Sequence, residues 1–506
     1  MTQFRSHPRA REFLLAGALW VCAHASVALA EAVDIDLQAP AHPLAHFWEQ
    51  TFGSGRAILA LREGYRDDLR AVKAATDFRY ARFHAIFHDE VGVYDEDDKG
   101  NPVYNFSYVD QIYDGLLTNG VRPFVEISFM PKKLALRQDV HAFWYKQVVS
   151  PPKSYVKWDG LITAFARHLV ERYGIDEVAQ WYFEVWNEPN IDFWTGKPKQ
   201  PTYFELYDHT ARALKAVDAR LRVGGPSSSS AHWVDDFLAH AARAGVAVDF
   251  VSSHGYADDT VEDLMGTHEA IPMDQRVCRA IGKVRAQIDA SPTPGLPLMW
   301  TEWNVASFGD AVQARDSAYV GAGVAETISQ CDGLVQMLSF WTFSDVFEEN
   351  GPGQRPFTGS FGLMALGGIR KPSYTAHALL HRLGSERLAS RVPGSLVTRR
   401  ADGSFAIALW NLRDPGTPQL GRNLALRLAG LPAGARLQVT LIDDEHGSSR
   451  AAYRAMGSPH YPTRAQVADM NRAAALPPPV PLLPGSDGRV ALQLAPNALA
   501  LLEVLP

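Results

Sequence analysis

Eight short apolar runs recur along the chain between about residue 45 and residue 375, and stretches of helical character separate them. They are Ala45 to Gly53, Phe78 to Ile86, Val121 to Ser128, Trp181 to Trp186, Leu221 to Pro226, Val248 to His254, Leu296 to Trp303 and Leu334 to Phe343. Runs of this length, rich in aromatic and β-branched residues, read as strands buried on both faces. The clearest helix between them is WDGLITAFARHLVERYG, where Leu161, Phe165, Leu169 and Tyr173 repeat every four residues and Gly174 can end the helix. Eight βα units over about 330 residues predict an α/β fold, a (β/α)₈ TIM barrel. A doubly wound open sheet is the alternative, but the chain has no glycine-rich first turn of the kind that sheet uses for a nucleotide.

After residue 380 the pattern changes to alternating apolar and polar residues broken by turn signals, as in SFAIALWNL and ARLQVTLID. This predicts an accessory antiparallel β-sandwich domain over residues 379–506, with the barrel spanning 45–378. AVDIDLQ (Ala32 to Gln38) alternates likewise, so residues 31–44 are expected to supply an N-terminal strand to the sandwich. LPPPVPLLPGSDG (Leu476 to Gly488) reads as a surface connection.

The first thirty residues have the form of a cleavable signal peptide: Arg5, Arg9 and Arg11, then the apolar stretch Phe13 to Val21, then Ala28-Leu29-Ala30. Its loss removes three arginines and Glu12, a net +2, and moves the formal charge from −7 to −9. A mildly acidic chain with no basic run argues against a nucleic-acid partner. No later apolar run is long enough to span a membrane as a helix. A periplasmic or secreted location is expected. Cys278 and Cys331 remain after the leader, and two buried thiols are the expected state. His88-Asp89-Glu90 reads as a solvated loop, because adjacent residues on an extended segment point apart and cannot share one metal.

A barrel's reactive groups sit at the carboxyl ends of its strands. Two carboxylates stand there, Glu188 after the fourth strand and Glu302 at the end of the seventh, nearly across the barrel mouth from each other. A facing pair, one held protonated and one ionised, is the apparatus of glycoside hydrolysis. In WYFEVWNEPN the strand fixes Asn187 and Glu188 on rigid scaffold, and Pro189 restrains the backbone just after them. Trp186 and Trp194 are expected to desolvate Glu188 and so favour its protonated form.

Asn187-Glu188-Pro189 with Thr301-Glu302-Trp303-Asn304 resembles glycoside hydrolase family 39, the β-xylosidase and α-L-iduronidase family. RFHAIFHDEVGVY, RPFVEISFMP, DFVSSHGY and FWTFSDVFEE are similar to it as well, so the resemblance covers the whole expected barrel. It implies Glu188 as acid/base and Glu302 as nucleophile, with Asn187 on the sugar 2-hydroxyl. It further implies His84 and His254 on sugar hydroxyls and Tyr256 near the nucleophile. Glu348 and Glu349 would fix the outer hydroxyls, one of the two reaching the sugar, and Trp341 would floor the subsite. Glu126 is read as a structural carboxylate pairing with a neighbour such as Arg82, and Phe129 and Trp144 as cleft walls. One stretch departs from the family pattern: FTGSFGL (Phe357 to Leu363) has Thr358 and Ser360 where a histidine and a second glycine are expected.

The leading expectation is a retaining hydrolase that removes β-D-xylosyl residues from xylo-oligosaccharides. The same machinery would serve an α-L-iduronide, an arabinoside or an exopolysaccharide. A uronide would need a cation, for which Arg355 is the candidate in the loop after Glu349. A non-catalytic carbohydrate-binding protein would not need the paired carboxylates. No metal or organic cofactor is implied.

Overall fold

The computed structural model describes residues 30–307 and 309–506; all but the last residue of the expected leader lies outside them. Eight parallel strands close into a barrel: Thr51–Ser54, Tyr80–Phe83, Arg122–Ile127, Tyr182–Val185, Arg222–Ser228, Phe250–His254, Leu298–Trp303 and Met337–Phe340. Each falls within or against one of the eight apolar runs. The helix Tyr155–Tyr173 buries Leu161, Phe165 and Leu169, is capped by the Ser154 hydroxyl, which accepts from the Lys157 N–H, and ends at Gly174 with φ 81°.

Alternation along the strands sorts the barrel interior into layers. Tyr80, Phe124, Tyr182, Phe250, Met299 and Met337 pack together near the amino-terminal end of the barrel. Two residues further along four of those strands stand Arg82, Glu126, Glu184 and Thr301, all buried. Since strand side chains repeat with period two, the same inward rows that build an apolar plug deliver a polar layer one step higher. The site lies on top of that layer.

The accessory part is a sandwich of two sheets. One runs Ala41–Pro43, Glu386–Leu388, Ser395–Arg399, Phe405–Trp410, Leu499–Leu505, Arg436–Ile442, Val480–Leu482; the other is Glu31–Asp36, Arg422–Ala429, Val490–Leu494. Their inner faces share a core of Val33, Ile35, Val397, Ile407, Leu424, Leu426, Leu492 and Leu502 among others. Glu31–Asp36 pairs with Arg422–Ala429 in parallel, so that sheet is mixed. The proline-rich stretch is not only a connection: Val480–Leu482 forms the sheet's edge, where Pro481 needs no ladder donor.

Two further features depart from the sequence reading. Between Arg436–Ile442 and Val480–Leu482 the sandwich carries a helical pair, Ser449–Ala455 and Arg464–Ala473, the second opened by a capping box of Thr463 and Gln466. The pair packs on the barrel: Tyr453 and Met470 join Phe357, Ala365 and Ile369 in one apolar cluster, and Asn471 Oδ1 accepts from the Arg370 backbone N–H at 2.9 Å. Second, Cys278 and Cys331 are not thiols but a disulfide, with Cα atoms 5.1 Å apart. Cys278 lies in the helix Met273–Asp289 and Cys331 ends the helix Tyr319–Cys331; these neighbouring helices pack together and bring residues 53 apart in sequence into contact. No helix among the described residues is long and apolar enough to cross a membrane.

Candidate active site

Arg82 organises the floor. Fully buried, it donates from Nε to Glu184 Oε2 at 2.6 Å, from Nη1 to Glu302 Oε1 at 2.7 Å and from Nη2 to Asn187 Oδ1 at 3.0 Å. Nη2 is also 2.9 Å from Glu126 Oε2, so the pairing expected for Glu126 is present. One guanidinium thus meets three carboxylates and one amide. Its fork geometry allows this, whereas an ammonium would act as a point charge. Because Asn187 accepts through its oxygen, its amide N–H₂ is left to face outward as a donor.

Glu302 is 5% exposed and receives, besides Arg82, the Tyr256 hydroxyl at 2.7 Å on Oε2. Both of its oxygens therefore meet donors, the environment of a carboxylate anion. Tyr256 is in turn held well above its usual range by burial and by the charge of Glu302.

Glu188 is in a different setting. Burial pushes it up to about 7, against the opposing charges of His84 and Arg82. Trp186 and Glu188 both adopt left-handed backbone conformations, φ 73° and 42°, where a non-glycine residue is held only by its surroundings. The Glu188 backbone N–H donates to Ser227 O at 2.8 Å and helps hold that turn.

His254 joins the pair. It is fully buried, its Nδ1 is 3.0 Å from Glu188 Oε1 and 3.7 Å from Glu302 Oε1, and one oxygen of each glutamate lies within 4.8 Å of the other. Burial lowers the ring to about 4, so it is neutral at ordinary pH. Its tautomer follows from the network. The Thr301 hydroxyl donates its one proton to Glu184 Oε1 at 2.8 Å, which leaves Thr301 Oγ1 an acceptor toward His254 Nε2 at 3.1 Å. Nε2 therefore carries the ring proton, and bare Nδ1 can only accept a hydrogen bond from the protonated Glu188 carboxyl. His254, expected on sugar hydroxyls, is thus turned onto the carboxylates beneath them.

His84 is the histidine with an outward end. Its Nδ1 is 2.7 Å from Glu126 Oε2, while Nε2 stands 3.9 Å from both Glu302 Oε1 and Glu349 Oε1. Burial works against its charge, but Glu126 overcomes this and holds the ring above its usual value. Trp341 lies with its ring centroid 4.8 Å from that of His84. Gly53 makes room for it, since a Cβ there would sit 2.1 Å from Trp341 Cε3.

The adjacent glutamates have separate surroundings. Glu348 is gripped by Arg62 and by Arg56 Nη1 at 3.1 Å, whereas Glu349 faces His84 and is pushed by burial up to about 8. Neither arginine was singled out in the sequence, although both follow the first strand within a few residues. Arg56 also donates to Glu90 Oε2 at 2.9 Å; in the loop read as solvated Asp89 and Glu90 are exposed, while His88 is buried. Phe129 is fully buried against Trp186 and Phe193 and is core rather than wall; Trp144 is half exposed beside Gly351.

Residues 31–486 match the family model Glycosyl hydrolases family 39. The chain belongs to that family. This family 39 chain is 41% identical over 431 residues to a β-xylosidase of Geobacillus stearothermophilus, covering 83% of this chain and 84% of the relative. It is 26% identical over 463 residues to the human α-L-iduronidase, covering 79% and 66%. The crystal structure of a monomeric β-xylosidase from Caulobacter crescentus CB15 superposes with a TM-score of 0.84 at 38% identity, over 94% of this chain and all of that one. The protein is a glycosidase, and the pair at its barrel mouth is where its geometry concentrates reactive groups.

Proposed function

We propose that this enzyme releases β-D-xylosyl residues from xylo-oligosaccharides with net retention. The observation that carries the reading is the separation of Glu188 and Glu302, with nearest oxygens within 4.8 Å. Nearest oxygens this close are compatible with the carboxyl spacing of about 5–5.5 Å that direct attack uses. Glu188, with a pKa of about 7, gives its proton to the glycosidic oxygen as the Glu302 carboxylate attacks the anomeric carbon. The C–O bond breaks, the aglycone leaves as an alcohol and the sugar stays esterified to Glu302. That ester removes a negative charge beside Glu188, so Glu188, now a carboxylate, takes a proton from the incoming water. The water oxygen bonds to the anomeric carbon and Glu302 departs. Asn187 donates to the 2-hydroxyl as positive charge grows at the ring, His84 Nε2 and Glu349 hold other hydroxyls, and Trp341 packs beneath.

The relative from Geobacillus stearothermophilus supports xylose as the glycone. Export is supported by the leader-like start and by the Cys278–Cys331 disulfide. The test is hydrolysis of an aryl β-D-xyloside by wild type, by Glu302→Ala and by Glu188→Ala with azide. Loss of activity in the first variant and recovery of β-xylosyl azide from the second are expected. An α-azide product would overturn retention, and no turnover by wild type would overturn the xyloside.

A further inference from the structure

A second cluster of two histidines and a carboxylate lies where the chain enters and leaves the barrel. His46 and Glu49 precede the first strand, Thr51–Ser54, and His381 directly follows the helix Pro372–Leu380. Glu49 Oε1 is 2.6 Å from His46 Nδ1, and Glu49 Oε2 is 2.8 Å from His381 Nδ1, although Glu49 and His381 are 332 residues apart. One ligand atom from each of the three lies within 4.8 Å of the others. Glu49 is fully buried, yet among the described residues no lysine or arginine is within ion-pair distance of it. The arginines beside the cluster are engaged elsewhere, Arg79 with Asp77 and Arg400 with Glu503 at 2.7 Å.

The outer nitrogen of His46 shows what the inner one must meet. His46 Nε2 is 3.4 Å from Gly384 O, and since a carbonyl only accepts, Nε2 carries a proton. His46 Nδ1 then turns a lone pair on Glu49 Oε1, and a cation has to stand between the two. A proton there makes the ring an imidazolium, whereas a metal ion on Nδ1 leaves the ring neutral and keeps both contacts. Donation of the outer N–H to a backbone carbonyl is how ligating histidines are commonly oriented. Stacking on Trp48, with centroids 4.4 Å apart, fixes the ring further. Side-chain exposure rises from 0% at Glu49 through 19% at His46 to 45% at His381, so the donors run from the core to the edge of an open cavity of about 770 Å³.

We propose that His46 Nδ1, Glu49 and His381 Nδ1 hold a divalent transition-metal ion, best zinc, with water from the cavity as its fourth ligand. Two imidazoles and one carboxylate suit four-coordinate zinc and disfavour the oxygen-seeking magnesium and calcium. Donors at about 2.0–2.1 Å from a tetrahedral zinc stand roughly 3.3 Å apart, so the cluster opens slightly on binding, and half-exposed His381 has the freedom to move. The ion would fasten the entry of the barrel to its exit at the amino-terminal face, where residues serve stability rather than chemistry. The inference does not rest on the reading of Glu188 and Glu302.

The whole enzyme, stripped with a chelator and dialysed, is titrated with Zn²⁺ by calorimetry and melted with Zn²⁺, with Mg²⁺ and with neither. Wild type should bind zinc, and at about 100 times Kd its Tm should rise by about 3 °C, with no rise in Mg²⁺. His381→Gln should lose at least tenfold in zinc affinity together with the rise, and His46→Gln, on the other side of the carboxylate, should do the same; metal-free melts check that both variants fold. No rise in wild type, or a rise that survives in both variants, overturns the proposal. Glu188, His254 and Glu302 also bring ligating atoms together, so aryl β-D-xyloside hydrolysis is followed as zinc is added. Zinc binding that blocks hydrolysis and persists in both variants assigns the ion to that group and overturns the site at His46, Glu49 and His381.

Discussion

Replacing Arg82 with methionine keeps most of the side-chain volume and removes the charge that three buried carboxylates share. The three lose different amounts. Glu126 keeps His84 at 2.7 Å, Glu302 keeps the Tyr256 hydroxyl at 2.7 Å, and Glu184 keeps only the Thr301 hydroxyl at 2.8 Å. Breaking one partner of a buried ion pair costs about 3–5 kcal/mol. Unfolding entropy of about 2.1 cal/mol/K per residue gives roughly 1 kcal/mol/K for a chain of this length, so Tm should fall by about 3–5 °C. The deficit should depend on pH. Without Arg82 the stranded carboxylates are buried charges lacking a counter-ion, so protonation at low pH relieves their desolvation cost and the loss shrinks as pH falls. Thermal melts of wild type and Arg82→Met at pH 5 and pH 8 read this directly, with the larger gap at pH 8. Activity should fall at every pH because Asn187 and Glu302 lose their common anchor. A gap under 1 °C, or one as large at pH 5 as at pH 8, would refute the idea that Arg82 compensates this cluster.

Above pH about 7, kcat/KM should fall as Glu188 loses the proton it must donate, and Glu188→Gln should abolish that alkaline limb. Thr301→Val removes the acceptor that fixes His254, so the ring can turn its N–H toward ionised Glu188 and move the limb about one unit lower; an unmoved limb would contradict the tautomer. Tyr256→Phe removes a hydrogen bond to a charged group worth about 1.5–3 kcal/mol, and kcat should drop about 10- to 150-fold in steady-state assays. Cys278→Ser with Cys331→Ser opens a link between residues 53 apart, and denaturant unfolding should show a loss of about 4 kcal/mol, with kinetics of aryl xyloside cleavage unchanged.

The barrel and the placement of Glu188 and Glu302 at its mouth were legible because both depend on local patterns: eight apolar runs with polar residues at their ends. The features that stayed hidden depend on residues meeting across the fold. The pairing of Arg82 with Glu126 was expected, but nothing near Arg82 in sequence says that Glu184, Asn187 and Glu302 converge on it as well. The grip of Arg56 and Arg62 on Glu348 spans nearly 300 residues, 292 for the first and 286 for the second. The disulfide needed two helices to pack before Cys278 and Cys331 could be seen as neighbours. The helical pair in the sandwich did leave a local sign, Thr463-x-x-Gln466, the signature of a capping box, within a stretch otherwise read for strands. His254 was found by position but not by role, because ending a strand says where a ring stands and not which nitrogen carries its proton.

That helical pair ties two halves of the molecule that could otherwise evolve apart. Tyr453 and Met470 brace Phe357, and Phe357 begins the stretch that carries Thr358 and Ser360 to the cavity beside Glu349. Cutting the chain after the last barrel helix would leave all eight strands and both glutamates but unmoor that part of the rim. Grafting a relative's sandwich onto this barrel should likewise change which sugars are accepted more than how fast a favoured one is cleaved. The accessory module thus shores up one wall of the barrel mouth, and a chimera divided at that boundary would leave the Phe357 cluster without Tyr453 and Met470.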